Sequence, residues 1–220
     1  MLLQIAVYVI CLQIHIRSKG KMKEWYKKRQ KDHFYREAKK NNLISRAYYK
    51  IKEINEKHKL IKNNQIILDI GCSPGGWLQY ISQKYTNSKL IGIDILDLKI
   101  PKSKNIDFLK IDLNNFNEIS KYFKEKKLIF DNIISDIAPN TSGIQLVDQA
   151  NSFQLCEACT LFIDKFLKQK GNFLIKNFQG EDTNILFENI KKKFEKVIYI
   201  KPKASEKTSK EIYILAFFKK

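Results

Sequence analysis

Glycine and proline are scarce, at eight and four in 220 residues, which excludes collagen-like and low-complexity chains. Cysteine is equally thin: thiols at positions 11, 72, 156 and 159 cannot frame a secreted fold of this length, so a reducing setting is expected. No internal apolar run reaches the roughly 18–20 residues that a membrane-spanning helix needs. The GxGxxG spacing of pyrophosphate-binding turns is missing as well. What is present is 44% hydrophobic and 12% aromatic sequence in 25.9 kDa, enough for one domain with a sizeable core.

The charge of +18 is unevenly distributed. Residues 17–63 carry seventeen Lys and Arg against five acids, a net of +12. Residues 64–190 carry fourteen against fifteen, a net of −1, and residues 191–220 ten against three, a net of +7. Lysine outnumbers arginine 37 to 4, the mark of a codon bias that would scatter lysine over any surface. Bias does not explain a neutral middle. A neutral body between basic flanks suits a chemical core whose ends meet a polyanion, here nucleic acid.

The apolar stretch at residues 1–17 is too short to span a bilayer and lacks a basic start, so it is no typical secretory signal. It is expected to be a removable targeting segment; a misassigned start or an ordinary N-terminal helix is the alternative. Residues 18–63 read as a basic helical RNA-binding extension, with a helix over Ser45–His58 capped by Ser45. From residue 64 to 220, strand-like runs alternate with helical ones: Gln65–Ile70, Leu90–Asp94, Asp107–Ile111, Asn132–Ser135 and Asn172–Lys176 are the strands of the alternation. This is an α/β pattern, a mostly parallel sheet covered on both faces. Val197–Ile200 and Ile212–Phe218 have no helix between them and should pair antiparallel at one edge.

The turn after the first strand reads Asp69-Ile70-Gly71-Cys72-Ser73-Pro74-Gly75-Gly76-Trp77. Ligands of open α/β sheets bind at the carboxyl ends of strands, where glycines let backbone approach closely. Asp69 beside the turn disfavours a phosphate and favours a ligand with positive charge. Asp94 follows Gly71 by 23 residues, near the spacing of about 20 at which an acid grips ribose hydroxyls. Asp112 follows the third strand and can accept from an adenine amino group. An adenosine bearing a sulfonium and no phosphate fits all of these, which is S-adenosylmethionine. The plainer reading is a turn that only packs helix on strand.

Asp136, Lys176 and Glu211 fall at strand ends that the topology brings to one rim, and Lys50 lies in the helix before the sheet. Each alone reads as a solvated strand-end charge; together they do not. The segments Ser45–Ile54, Asp69–Trp77, Ser135–Gly143, Lys176–Glu181 and Ser209–Ile214, in this order, resemble the FtsJ/RrmJ-type ribosomal RNA 2′-O-methyltransferases over about residue 25 to the C-terminus. The resemblance implies a Rossmann-like S-adenosylmethionine-dependent fold with a seven-stranded, mostly parallel sheet and one antiparallel edge strand. It implies a catalytic tetrad of Lys50, Asp136, Lys176 and Glu211. Cofactor contacts are expected at Gly71, Pro74, Gly75, Gly76, Trp77, Asp94, Asp112 and Asp136.

The implied substrate is ribosomal RNA, a uridine in the aminoacyl-site loop of the large subunit, and the implied compartment a mitochondrion or other organelle with bacterial-type ribosomes, with cytoplasm or nucleus as the alternative. A monomer without membrane association is expected. Related anticodon-loop tRNA enzymes carry PGSW and APD where this chain has Pro74-Gly75-Gly76-Trp77 and Ala138-Pro139-Asn140, which favours rRNA. Arg46, Lys50, Lys52, Lys201, Lys203, Lys207 and Lys210 are expected to meet the RNA, and Tyr48 or Tyr49 to stack a splayed base, unless Tyr48 simply packs helix on sheet. Cys156-x-x-Cys159 lies inside a long helix with no second pair, so two buried sulfurs and no metal site are expected. A nicotinamide oxidoreductase would share the fold and a non-catalytic ribosome assembly factor the charge, but the first wants GxGxxG and the second has no use for the tetrad.

Overall fold

The computed structural model describes residues 32–206 and 209–220. The apolar residues 1–17 and Lys207 lie outside the described residues. The chain divides into a unit of residues 1–42 and a unit of residues 43–220. In the first, helix α1 (His33–Lys40) is capped by Asp32, whose carboxylate accepts from the Tyr35 amide at 3.0 Å.

The second unit is built on seven strands in the order β3-β2-β1-β4-β5-β7-β6. These are β1 (Ile66–Ile70), β2 (Lys89–Asp94), β3 (Ile106–Lys110), β4 (Phe130–Ser135), β5 (Leu167–Phe178), β6 (Phe194–Ile200) and β7 (Glu211–Lys219). The first five are mutually parallel, and β7 runs antiparallel between β5 and β6. The helices are α2 (Ala47–His58), α3 (Gly76–Lys84), α4 (Phe116–Glu125), α5 (Gln145–Phe166) and α6 (Thr183–Lys193). Strand order reverses between β1 and β4, which makes their carboxyl ends the expected place for a ligand.

Side chains alternate across the sheet as a two-residue period requires. Leu68, Ile70, Ile91 and Ile133 join Phe123 of α4 and Phe162 of α5 in one core layer. Ile67, Leu90, Ile134, Leu174 and Leu215 face the other way, onto Ile51 and Ile54 of α2 and Trp77, Leu78 and Ile81 of α3. Helix α2 is therefore part of the second unit, and the boundary falls after Asn42, not after Asn63. Its apolar face at i and i+3 is what ties it to the sheet.

Ser45 does not cap α2. Arg46 occupies the cap position without a side-chain capping bond, and the buried Ser45 hydroxyl has no hydrogen-bond partner among the described residues. It lies instead against α3, where a Cβ on Gly76 would come within 2.3 Å of it. Close approach of the two helices, not capping, decides the Ser45 position. Cys156 and Cys159 are buried in the core layer under β4 and β5, as expected of two small hydrophobes.

Candidate active site

The tetrad assembles where β4, β5 and β7 end or begin. Asp136 follows the last residue of β4, and Lys176 lies near the end of β5, paired in register with Tyr213 of β7. Glu211 opens β7, and because that strand is antiparallel its start reaches the same rim. Lys50 comes from the middle of α2. The Lys176 amine donates to the Asp136 carbonyl at 2.7 Å and lies 3.1 Å from Asp136 Oδ1. Lys50 Nζ lies 2.6 Å from Glu211 Oε1 and 3.5 Å from Asp136 Oδ2.

Water is largely excluded from these four groups: the side chains of Lys50 and Lys176 are 7% and 6% exposed. Charge pairs therefore act with little screening. Burial disfavours the Asp136 carboxylate, but Lys176 and Lys50 outweigh it and hold the group below the usual aspartate range. Burial likewise opposes the Lys50 ammonium, and Asp136 and Glu211 reverse that and raise its affinity for the proton.

Two members of the site carry no role in the sequence reading. The Tyr213 hydroxyl donates to Asp136 Oδ1 at 2.6 Å and lies 3.2 Å from Glu211 Oε1, bridging the two acids. Ser205 donates to Glu211 Oε1 at 2.7 Å from the buried part of the β6–β7 connection. The available signal for Tyr213 was its i+2 spacing from Glu211, which puts both on one strand face. No comparable periodicity marks Ser205, which lies in a loop.

A cavity of about 530 Å³ opens at the carboxyl ends of β1 to β4. Gly71, Asp94, Asp112 and Asp136 line it, with Ile93, Leu113 and Pro139 among the apolar walls. Among the described residues no lysine or arginine lines it, so this lining suits a cationic or neutral ligand and not a phosphate. Gly71 has φ +74°, and a Cβ there would lie 2.6 Å from Ile137 Cβ, so only glycine lets the turn pass β4's exit. Asp94 fastens the turn to β2, its two oxygens accepting from the amides of Ser73 and Leu96 at 2.8 Å each. Asp112 is exposed at the cavity mouth and accepts from the Asn114 amide.

Pro74, Gly75, Gly76 and Trp77 are not brought to the cavity wall. Gly75 (φ +114°) caps α3, Gly76 clears Ser45, and Trp77 is buried in the α2–α3 layer with its ring 6.1 Å from that of Tyr213. These residues shape the turn that presents Gly71 and Ser73. Below the turn, Asp69 on β1 is 1% exposed, and neither carboxylate oxygen has a hydrogen-bond partner among the described residues. Burial above all, with Asp136 and Asp94 adding repulsion, raises its proton affinity well above that of an ordinary aspartate.

The expected RNA contacts divide. Lys203 and Lys210 are exposed, and Lys201 is exposed but donates to the Ser209 carbonyl at 2.8 Å. Lys52 is half-buried on α2, and Arg46 pairs with Glu206 at 3.1 Å. Lys50 is committed to two carboxylates and does not present its charge to a phosphate. Tyr48 packs on Tyr80 of α3 at 5.3 Å, so helix-to-helix packing accounts for its ring, while Tyr49 is buried and makes an edge contact with Tyr48.

The family described as FtsJ-like methyltransferase matches residues 43–219. A Bdellovibrio bacteriovorus protein named ribosomal RNA large subunit methyltransferase E is 39% identical over 86% of this chain and 97% of its own length. The Methanocaldococcus jannaschii protein of the same name is 37% identical over 89% of this chain and 82% of its own. A crystal structure from Plasmodium falciparum, described as a ribosomal RNA methyltransferase, superposes with a TM-score of 0.70 at 32% identity, covering 80% of this chain and 97% of that one. With the tetrad and the acid-lined cavity in place, this chain belongs to the FtsJ-like methyltransferase family and is an enzyme of that kind.

Proposed function

We propose that the enzyme methylates a ribose 2′-hydroxyl of ribosomal RNA in the large subunit, with S-adenosylmethionine as donor and a uridine of the aminoacyl-site loop as target. The observation that carries this reading is the juxtaposition of Lys176 and Asp136 at the edge of a cavity lined by acids and, among the described residues, by no lysine or arginine. The residues fit the cofactor: Asp94, Asp112 and Asp136 line one cavity and would accept from ribose and adenine donors and face a sulfonium's charge, and Gly71 leaves room for close approach. When bound, the cofactor supplies an electrophilic methyl carbon on that sulfonium. The relatives' printed names support ribosomal RNA as substrate.

Lys176 holds the acceptor. Two bonds to Asp136 fix its Nζ, leaving one position of the amine for the 2′-oxygen. Positioned this way, the hydroxyl needs little further ordering to attack in line, which is the main contribution a site can make to a displacement. With Nζ neutral, its lone pair faces the hydroxyl and takes the proton. With Nζ charged, its third N–H only positions the oxygen, and the proton leaves late to a carboxylate or water once that oxygen has begun to bond carbon. Lys50 neutralises Glu211 and the far oxygen of Asp136, so Asp136 stays ionised and correctly turned.

Titration calorimetry with S-adenosylmethionine, followed by tritiated-methyl transfer to rRNA fragments and to whole ribosomal subunits, tests the proposal. Wild type binds and transfers to a 2′-oxygen, whereas Lys176→Ala binds equally well and transfers nothing. Full transfer by Lys176→Ala, or methylation only on a base, overturns it.

A further inference from the structure

A second cavity of about 280 Å³ lies at the same rim, between the start of α5 and the end of β5. Phe178, Gly143, Gln149, Ser209 and Lys210 are among its walls. Phe178 is half-buried, and its ring centre lies 5.9 Å from Lys176 Nζ. Lys176 thus contacts a lining residue of each cavity, Asp136 on the cofactor side and Phe178 on the other. A group held by Lys176 sits between them.

We infer that this second cavity receives the base of the target nucleotide, stacked on Phe178; the inference rests on the methyl-transfer reading above. An in-line attack requires the nucleoside to approach from the side away from the cofactor, and Phe178 reaches Lys176 from a cavity that shares no lining residue with the cofactor's. Its size falls just below the ~300–1,000 Å³ of drug-sized sites, which suits one nucleobase. The cavity is preformed: Asp148 accepts from the Ser142 and Gly143 amides at 2.6 and 3.3 Å, and Gln149 donates to the Gln179 carbonyl at 2.5 Å. Nothing lies within 4 Å of where a Gly143 Cβ would stand, so the slot is open over that turn. Lys210 supplies positive charge at its mouth for the adjoining phosphate. The rings of Tyr48 and Tyr49, already packed on neighbours, leave Phe178 as the aromatic face beside the catalytic amine. Stacking on an aromatic face is how unpaired bases are commonly held.

The test uses the full chain and an rRNA fragment whose methylated position is first mapped with wild type, then made with either the natural base or an abasic ribose there. Phe178→Ala should lower kcat/KM about 10- to 100-fold, the worth of one stacked base, with cofactor Kd unchanged within about twofold. Phe178→Tyr should keep most activity and Phe178→Leu should not. The abasic RNA should lower the wild-type rate by a similar factor and cost Phe178→Ala nothing more, since ring and base act as one unit. Independent, multiplying losses, or a fully active Phe178→Leu, overturn the stacking assignment while leaving methyl transfer standing. A wild type that methylates no rRNA overturns the parent reading and this one with it.

Discussion

Tyr213 has one hydroxyl proton and two acids within reach, Asp136 Oδ1 at 2.6 Å and Glu211 Oε1 at 3.2 Å. The shorter bond takes the proton, so Tyr213 fixes the Asp136 oxygen that also faces Lys176. Tyr213→Phe keeps the ring under Lys50 and Trp77 and removes only this donor. A bond to a charged group is worth about 1.5–3 kcal/mol, and a comparable loss of stability is expected in chemical denaturation. A misalignment costing about 1.4 kcal/mol at the transition state would lower kcat about tenfold. Unchanged kcat and unchanged unfolding midpoint would show that Asp136 is held by its lysines alone. Asp69 makes the opposite case. Its folded carboxyl holds a proton that the unfolded chain gives up near the ordinary aspartate value, so this group removes stability as pH rises through that range. Asp69→Asn abolishes the effect. The variant's melting temperature, measured without cofactor, should exceed wild type by a margin that grows from about pH 4 upward. A margin constant with pH would mean that Asp69 gives up its proton in the fold at the same pH as in the unfolded chain.

At the scale of elements, the site depends on how closely the exits of β1 and β4 pass each other. A Cβ at Gly71 would lie 2.6 Å from Ile137 Cβ and 2.8 Å from Ile137 Cα, and backbone cannot rotate away as a side chain can. Gly71→Ala also has to adopt φ +74°, a conformation that disfavours any Cβ. Such overpacking costs about 1–3 kcal/mol, and here it displaces the residue next to Asp136. Gly75→Ala carries a φ penalty of its own, at +114°, but its Cβ meets only the side chain of Ile100, at 2.7 Å, which can shift where the Ile137 backbone cannot. Cofactor affinity by calorimetry should therefore fall much further in Gly71→Ala than in Gly75→Ala; equal losses would place the constraint in the turn itself and not at the strand crossing. The alternation of β-branched runs and amphipathic stretches made the sheet and its order of elements readable, because periods of 2 and 3.6 are local properties. Ser45 was misread for the reason that such local rules fail: a serine before a helix normally caps, but here α3 approaches so closely that the hydroxyl fills the gap at Gly76. The turn glycines were legible as glycines, yet not as supports for the turn behind Gly71 and Ser73, because that distinction needs the path of β4 and Ile100.

At the scale of the second unit, the parts of the two basic flanks that belong to it, around α2 and the β6–β7 connection, meet in space. The amide of Lys203, in the β6–β7 connection, donates to Glu53 of α2 at 2.8 Å, and Glu206 pairs with Arg46 beside the same helix. Charge summed along the chain announced the flanks, but their meeting at one side of the tetrad follows from β7 inserting between β5 and β6. The same topology delivered Lys50, Asp136, Lys176 and Glu211 to one rim, which strand ends alone could suggest but not measure. Phosphate contacts made there release counterions, so RNA binding should weaken steeply with salt, while a cofactor held without phosphates should respond little. Each exposed lysine that meets a phosphate contributes about one unit to the slope of log affinity against log salt. Lys203→Gln and Lys210→Gln should each raise KM for RNA and flatten that slope by about one unit, with cofactor Kd unchanged. Lys124→Gln is the control, because Lys124 lies in the last turn of α4, shortly before β4 begins, at the opposite end of the parallel strands. If all three substitutions flatten the slope alike, RNA is held by the diffuse charge of a lysine-rich chain and the clustering around the tetrad has no special part in it.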